Sequence, residues 1–243
     1  MACAADESLT ERNRKERHLV STANAVSATP TSTLSERFLA LVQTIVIVRH
    51  AKAPKMSPDQ PDEDRMVNQA GHDQAKKLAE KLQGFDFDIV LSSPLKRVKQ
   101  TLAIATNGRY PVTEVSELNC PPKGSPIDIM FNELGYVPLA KYFEHPFGEH
   151  LKEYGRAAFA AVMRNLPETP RQQVLVGGHA VLLNALVWAT AEAMEEYFGA
   201  GVAVAKKMAL TEILNDAEAF RLTPGFGTIL PCVLHEEHII TLD

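Results

Sequence analysis

Apolar residues along this chain recur in two alternating rhythms. Ile45–Val48 is an unbroken β-branched run, the mark of a strand buried on both faces. A polar stretch with Pro54, Pro58 and Pro61 follows and must be loop. Gly71–Gln83 then places Ala75, Leu78, Ala79 and Leu82 at i, i+3, i+4 and i+7, which predicts an amphipathic helix ending before Gly84. Ile89–Leu91 predicts a second buried strand. Ser93-Pro94 reads as an N-cap and first-turn proline, opening a helix with Leu95, Val98, Leu102 and Ala105 on one face. Tyr154–Leu166 reads as helix, Val174–Val176 as strand and Ala180–Met194 as helix, with strand-like pieces near Leu210–Leu214, Ala219–Leu222 and His238–Leu242. This alternation predicts an α/β fold, a three-layer α/β/α sandwich with a mostly parallel central sheet. Residues Pro121–His150 follow neither rhythm. Their Phe131, Tyr136, Tyr142, Phe143 and Phe147 suggest an insertion or lid packed over one end of the sheet.

The first 43 residues differ from the rest. They are rich in Ser, Thr, Ala and Asn and balance five basic residues against five acidic ones. They have no apolar segment of the kind that marks a secretory signal, and their acidic residues argue against a mitochondrial presequence. Residues 1–43 are therefore expected to be a disordered polar extension, closing on a short helix Ser35–Leu41, and residues 44–243 a single domain. The formal net charge of −5 belongs entirely to that domain. An acidic chain with no apolar run near 20 residues is expected to engage neither nucleic acid nor membrane. Cys3, Cys120 and Cys232 are odd in number and widely spaced, as free thiols in a reducing compartment would be. The expected location is the cytoplasm, with organellar targeting by the extension left open.

In open α/β sheets ligands collect at the carboxyl ends of the strands. Three such ends carry polar residues that packing alone does not demand. Arg49-His50 follows the first strand; Ser92-Ser93-Pro94, with Arg97 one helical turn on, follows the second; Gly177-Gly178-His179 follows the third. A lone histidine after a strand is usually a turn residue, and a lone arginine early in a helix is usually a solvated charge set against the dipole. Two histidines and two arginines at three strand ends of one sheet point instead to an anion site, suited to a phosphoryl group.

The same residues carry a resemblance. Val46–Lys52, with Arg49-His50-Ala51-Lys52 at its end, looks like the strand and "R-H-G" signature of the histidine phosphatase superfamily, the phosphoglycerate-mutase-like fold. Asp64-Arg65 before Gly71–Ala75, Leu91–Thr101, Glu117-Leu118 with Pro121 and Gly124, and Val174–His179 resemble further segments of its small SixA-type branch, in order. The resemblance implies that His50 is the nucleophile, that Arg49, Arg97 and Arg65 clamp the phosphoryl oxygens, and that His179 completes the pocket. Clamping by guanidinium groups needs no metal or cofactor, and none is expected. In the larger branches a glutamate that protonates the leaving group stands where this chain has Cys120; Glu133 and Glu117 are the candidate acids here, with Glu149 a further carboxylate that could fold back from the insertion.

The resulting expectation is a metal-independent phosphatase acting through a phosphohistidine on His50, with protein phosphohistidine as the leading substrate. One alternative is a small-molecule phosphomonoester phosphatase or phosphoglycerate-mutase-type enzyme that draws its acid from the insertion. Another is a non-catalytic module that binds a phospho-ligand. The partner in each case is a phosphorylated protein or a small phosphorylated metabolite, and the oligomeric state is not set by the sequence. His235-Glu236-Glu237-His238 reads as a surface loop, because histidines at that spacing face opposite sides of a strand. Gly199-Ala200-Gly201 lacks the spacing of a dinucleotide loop and reads as a turn.

Overall fold

The computed structural model describes residues 33–55, 57, 61–198, 202–225, 228–234 and 239–241, with side chains as far as Pro224. His235–His238 and Gly199–Gly201 fall outside the described residues, as does the segment before Thr33. In chain order the elements are α1 (Leu34–Leu41), β1 (Val42–Arg49), α2 (Gln69–Lys81), β2 (Ile89–Ser92), α3 (Lys96–Ala105), β3 (Val112–Glu114), α4 (Pro126–Leu134), α5 (Leu139–Phe143), α6 (Gly148–Asn165), β4 (Gln172–Gly178), α7 (Ala180–Phe198), α8 (Ala203–Thr211), β5 (Ala219–Gly225), β6 (Thr228–Leu234) and β7 (Ile239–Thr241). Short 3-10 turns lie at Asp62–Asp64 and Ser116–Leu118.

The strands form one sheet in the order β3-β2-β4-β1-β5-β6-β7. The ladders β1–β4, β2–β4 and β2–β3 are parallel, and β1–β5, β5–β6 and β6–β7 are antiparallel. All three strand ends singled out in the sequence belong to the parallel part. Side-chain alternation along β1 explains why its run is apolar throughout. Ile45 and Ile47 enter a core built with α1 and α4–α8, while Val46 and Val48 enter a second core with α2 and α3. The sheet is thus covered on both faces, giving the expected three-layer α/β/α sandwich. Burying each of these aliphatic side chains contributes about 1.5–3 kcal/mol.

The folded part begins ahead of residue 44. Helix α1 is opened by a capping box: Glu36 N–H donates to Thr33 Oγ1 at 3.2 Å, and Thr33 N–H donates to Glu36 Oε2 at 2.8 Å. Its Phe38 and Leu41 are buried in the larger core, and Phe38 meets Phe159 of α6 edge-on at 5.9 Å.

Other boundaries shift for identifiable reasons. Ser93 is not an N-cap, because α3 starts at Lys96 with Leu95 in the capping position. The piece near Leu210–Leu214 is not a strand; α8 runs to Thr211 and buries Ala205, Met208 and Ala209 at helical spacing. Residues 121–150 are helical, supplying α4, α5 and the start of α6. Gly148 allows the sharp turn between the last two, since a Cβ there would lie 2.7 Å from Tyr142 O and 2.6 Å from Phe143 O.

Candidate active site

The ends of β1, β2 and β4 are drawn together by main-chain bonds. His50 N–H and Ser93 N–H donate to Gly178 O and Gly177 O of β4, at 3.1 and 3.0 Å. Ala51 N–H donates to Thr101 Oγ1 at 2.9 Å, and that hydroxyl donates to Arg97 O at 2.7 Å. The end of β1 is thereby fastened to the first turn of α3. Gly177 permits the approach: a Cβ would sit 2.7 Å from Leu102 Cδ1 and 2.9 Å from Val98 Cγ1.

His50 Nδ1 lies 2.8 Å from Ala51 O. A carbonyl oxygen only accepts, so Nδ1 carries the proton and Nε2 presents its lone pair. Arg97 Nε–H points at that lone pair across 3.4 Å. The His179 ring stands edge-on to His50 with centroids 5.3 Å apart, and its Nε2 pairs with Ser93 Oγ at 3.0 Å. Burial lowers the pKa of His50 to about 4, assisted by Arg97, Arg49 and Arg65 and opposed by its bond to Ala51. His179 is held well below the ordinary histidine value, first by burial and then by His50 and Arg97. Both imidazoles are neutral at pH 7. An imidazole neutral on its outward nitrogen is what nucleophilic attack on phosphorus requires.

The three arginines are already matched by carboxylates. Arg97, only 3% exposed, donates through Nη2 to Asp62 Oδ2 at 3.0 Å and through Nη1 to Asp62 O at 2.9 Å. Arg65 grips the other oxygen of Asp62, with Nε at 2.6 Å and Nη2 also in contact, and donates through Nη1 to Pro54 O at 2.7 Å. Burial opposes ionisation of Asp62, but Arg97 and Arg65 outweigh it and hold its carboxyl below the usual range. Arg49 pairs with Asp216 at 3.0 Å, donates to Leu214 O at 2.6 Å, contacts the Tyr136 hydroxyl, and packs 5.0 Å from the centre of that ring. Its Nε is buried without a hydrogen-bond partner, an unsatisfied donor that an anion would relieve.

The structure therefore gathers His50, His179, Arg97 and Arg65 with Asp62, and sets Arg49 on the β5 side. It does not bring the expected acids to this cluster. Glu117 bonds Ser116 Oγ at 2.8 Å and pairs with Arg164, and Glu133 pairs with His145 at 2.9 Å. Glu149 is paired with Lys152 and Arg156, each at 3.0 Å. Cys120 does reach the cluster, its Sγ 3.9 Å from Arg97 Nη2, and burial raises its pKa to about 11, so it is a neutral thiol. Sequence reasoning misses Asp62 and Asp216. Asp62 has a local signal, standing three residues before Arg65, whereas Asp216 meets Arg49 only through the β1–β5 pairing.

Residues 45–119 match the family model of the histidine phosphatase superfamily (branch 1), a stretch that contains Arg49, His50, Arg65 and Arg97. That stretch is similar to the histidine phosphatase superfamily. A phosphoserine phosphatase from Entamoeba histolytica, in complex with 3-phosphoglyceric acid, superposes with a TM-score of 0.52 at 16% identity, covering 77% of this chain and 94% of its own. A mycobacterial glucosyl-3-phosphoglycerate phosphatase, complexed with inorganic phosphate, gives 0.52 at 19% identity over 79% and 95%. No curated protein matches in sequence. These likenesses show that this chain shares their fold. No helix among the described residues is long and apolar enough to cross a membrane.

Proposed function

We propose that this protein is a metal-independent phosphatase whose His50 Nε2 attacks the phosphorus of a phosphorylated substrate. The N–P bond forms as the bond from phosphorus to the leaving group breaks, giving a phosphohistidine. Water then attacks that phosphorus, the N–P bond breaks, and the imidazole is restored as inorganic phosphate departs. Arg97 and Arg65, and Arg49 through its unpartnered Nε, neutralise the phosphoryl oxygens. His179, held by Ser93, closes the pocket. The observation that carries this reading is the His50 tautomer: Nδ1 is committed to Ala51 O, and the Nε2 lone pair faces Arg97, whose Nε–H lies 3.4 Å away.

Protein phosphohistidine is the leading substrate. An alkoxide leaves poorly without a proton donor, and the carboxylate at the cluster, Asp62, is held ionised by two guanidinium groups. Leaving groups that depart without a strong acid, such as imidazole or a phenol, suit such a site. The cysteine spacing supports a cytoplasmic location, with organellar targeting by the N-terminal extension left open.

The test is to trap the intermediate. With 4-nitrophenyl phosphate in EDTA, rapid quenching should recover an acid-labile, base-stable phosphoenzyme from the wild type and none from His50→Ala. Turnover abolished by EDTA, or left unchanged in His50→Ala, would overturn the mechanism. Phosphate binding without any turnover would favour the binding module.

A further inference from the structure

A pocket of about 450 Å³ is lined in part by Cys120, whose Sγ lies 3.9 Å from Arg97 Nη2. It is an open surface pocket bordered by the segment after β3, the start of α4 and one face of α6, and Cys120 belongs both to its wall and to the surroundings of Arg97. Its size falls in the range of small-molecule sites. Pro121, Pro126, Ile127 and Ala157 give it an apolar lining. The Tyr154 hydroxyl donates to Asn119 O at 3.2 Å and is kept neutral by burial, as is the Cys120 thiol. The charged residues of the lining are Glu117 and Glu153, with His150 set 3.5 Å from Glu153; no Lys or Arg belongs to it.

We infer that this cavity seats the leaving group of the substrate, and that it selects uncharged, ring-bearing or aliphatic groups over anionic ones. The inference rests on the phosphatase reading above. A phosphoryl group held at Arg97 leaves its substituent beside Cys120, where apolar surface is available and the fixed charges are carboxylates. Burying a fused ring there removes more apolar surface from water than a single ring does. A carboxylate on the leaving group meets Glu153 and the Arg164-paired Glu117, and no arginine or lysine belongs to the lining itself.

Aryl phosphates with similar phenolic leaving groups separate binding from chemistry. In kcat/KM, 2-naphthyl phosphate should exceed phenyl phosphate by about tenfold, and 4-carboxyphenyl phosphate should fall at or below phenyl phosphate. Ala157→Phe fills the cavity from α6; it should erase the naphthyl advantage while phosphoramidate, which has no organic leaving group, is hydrolysed as before. Glu153→Lys is a surface exchange that should raise 4-carboxyphenyl phosphate severalfold relative to phenyl phosphate. A naphthyl advantage that survives Ala157→Phe, or a wild-type preference for the carboxylated substrate, overturns the inference while phosphoramidate turnover leaves the phosphatase reading intact. Absence of turnover on every substrate, phosphoramidate included, overturns both.

Discussion

The strand-end cluster and the 121–150 segment treat their charged residues in opposite ways. At the strand ends, Arg97 is buried and its guanidinium is held by both the carboxylate and the main chain of Asp62, and Ser93 is fully buried against His179. In the 121–150 segment, Glu133 is 59% exposed on His145 and Lys141 is 61% exposed on Glu144. Exposed pairs of this kind are worth about 0–1 kcal/mol. A buried charge that loses its partner costs about 3–5 kcal/mol. The cluster is therefore the region where a single side chain carries large consequences, and the helices of 121–150 contribute walls rather than charges.

The sharpest way to break that contrast is Arg97→Ala. Losing a preorganised donor to the phosphoryl oxygens should lower kcat/KM by about 10²–10³. Steady-state kinetics with 4-nitrophenyl phosphate, alongside a melting curve to confirm folding, measures it. A loss below tenfold would mean that Arg49 and Arg65 suffice and that the burial of Arg97 serves structure alone.

Asp62 sharpens the comparison from the other side. Its two oxygens sit on Arg97 and Arg65, where phosphoryl oxygens would have to bind. Asp62→Asn keeps the shape and removes the charge. Inorganic phosphate should then inhibit at about one tenth of the wild-type concentration, because no internal anion competes for the guanidinium groups. If Asp62 only positions the arginines, the same exchange weakens phosphate inhibition, so the direction of the change decides.

The pH profile follows from the buried imidazoles. His50 has a folded pKa of about 4 against an unfolded value near 6.5. Corrected for ionisation of the substrate, the acid limb of kcat/KM should fall near pH 4 rather than near 6.5. The same depression has a sign for stability. Between those values the unfolded chain binds more protons than the folded one, so the contribution of His50 is complete above about pH 6.5 and is lost as pH falls toward 4. His179, depressed further, extends the loss to lower pH. A chemical-denaturation series across that window checks the trend, and a stability independent of pH there would contradict the neutral imidazoles.

What is legible in the sequence and what is not divides along the same line. Arg49, His50, Arg97 and His179 can be grouped from the chain alone, because parallel strand ends in an α/β sheet meet at one edge and each residue stands within a few positions of an apolar strand. The β-branched run of β1 demands burial on both faces, and that alone calls for helices on each side. Leu210 misleads because a short apolar run has no distinctive period; α8 buries Ala205, Met208 and Ala209 at helical spacing instead. Ser93 looks like a cap because its type and the following proline suit one, but its hydroxyl pairs with His179 and reaches only Leu95 N–H, ahead of the helix. The carboxylates are the least legible. Glu133 draws notice for its place in an insertion that could fold over the site, whereas Asp216 depends on an antiparallel pairing between β1 and β5 that no local signal announces.

The smallest expected effect is the most discriminating for the acid. Glu133→Gln removes one exposed pair with His145 and no contact to His50, His179 or the three arginines. If protonation of the leaving group came from Glu133, hydrolysis of an alkyl phosphate would slow at least about tenfold, while an imidazole or aryl leaving group would be little affected. The observed geometry calls for less than a twofold change with glycerol phosphate, 4-nitrophenyl phosphate and phosphoramidate alike. A selective loss on glycerol phosphate would show that the segment closes onto the strand ends when substrate is bound. Its side chains would then have to exchange their surface partners for the cluster, and the difference between the two regions would hold only for the free protein.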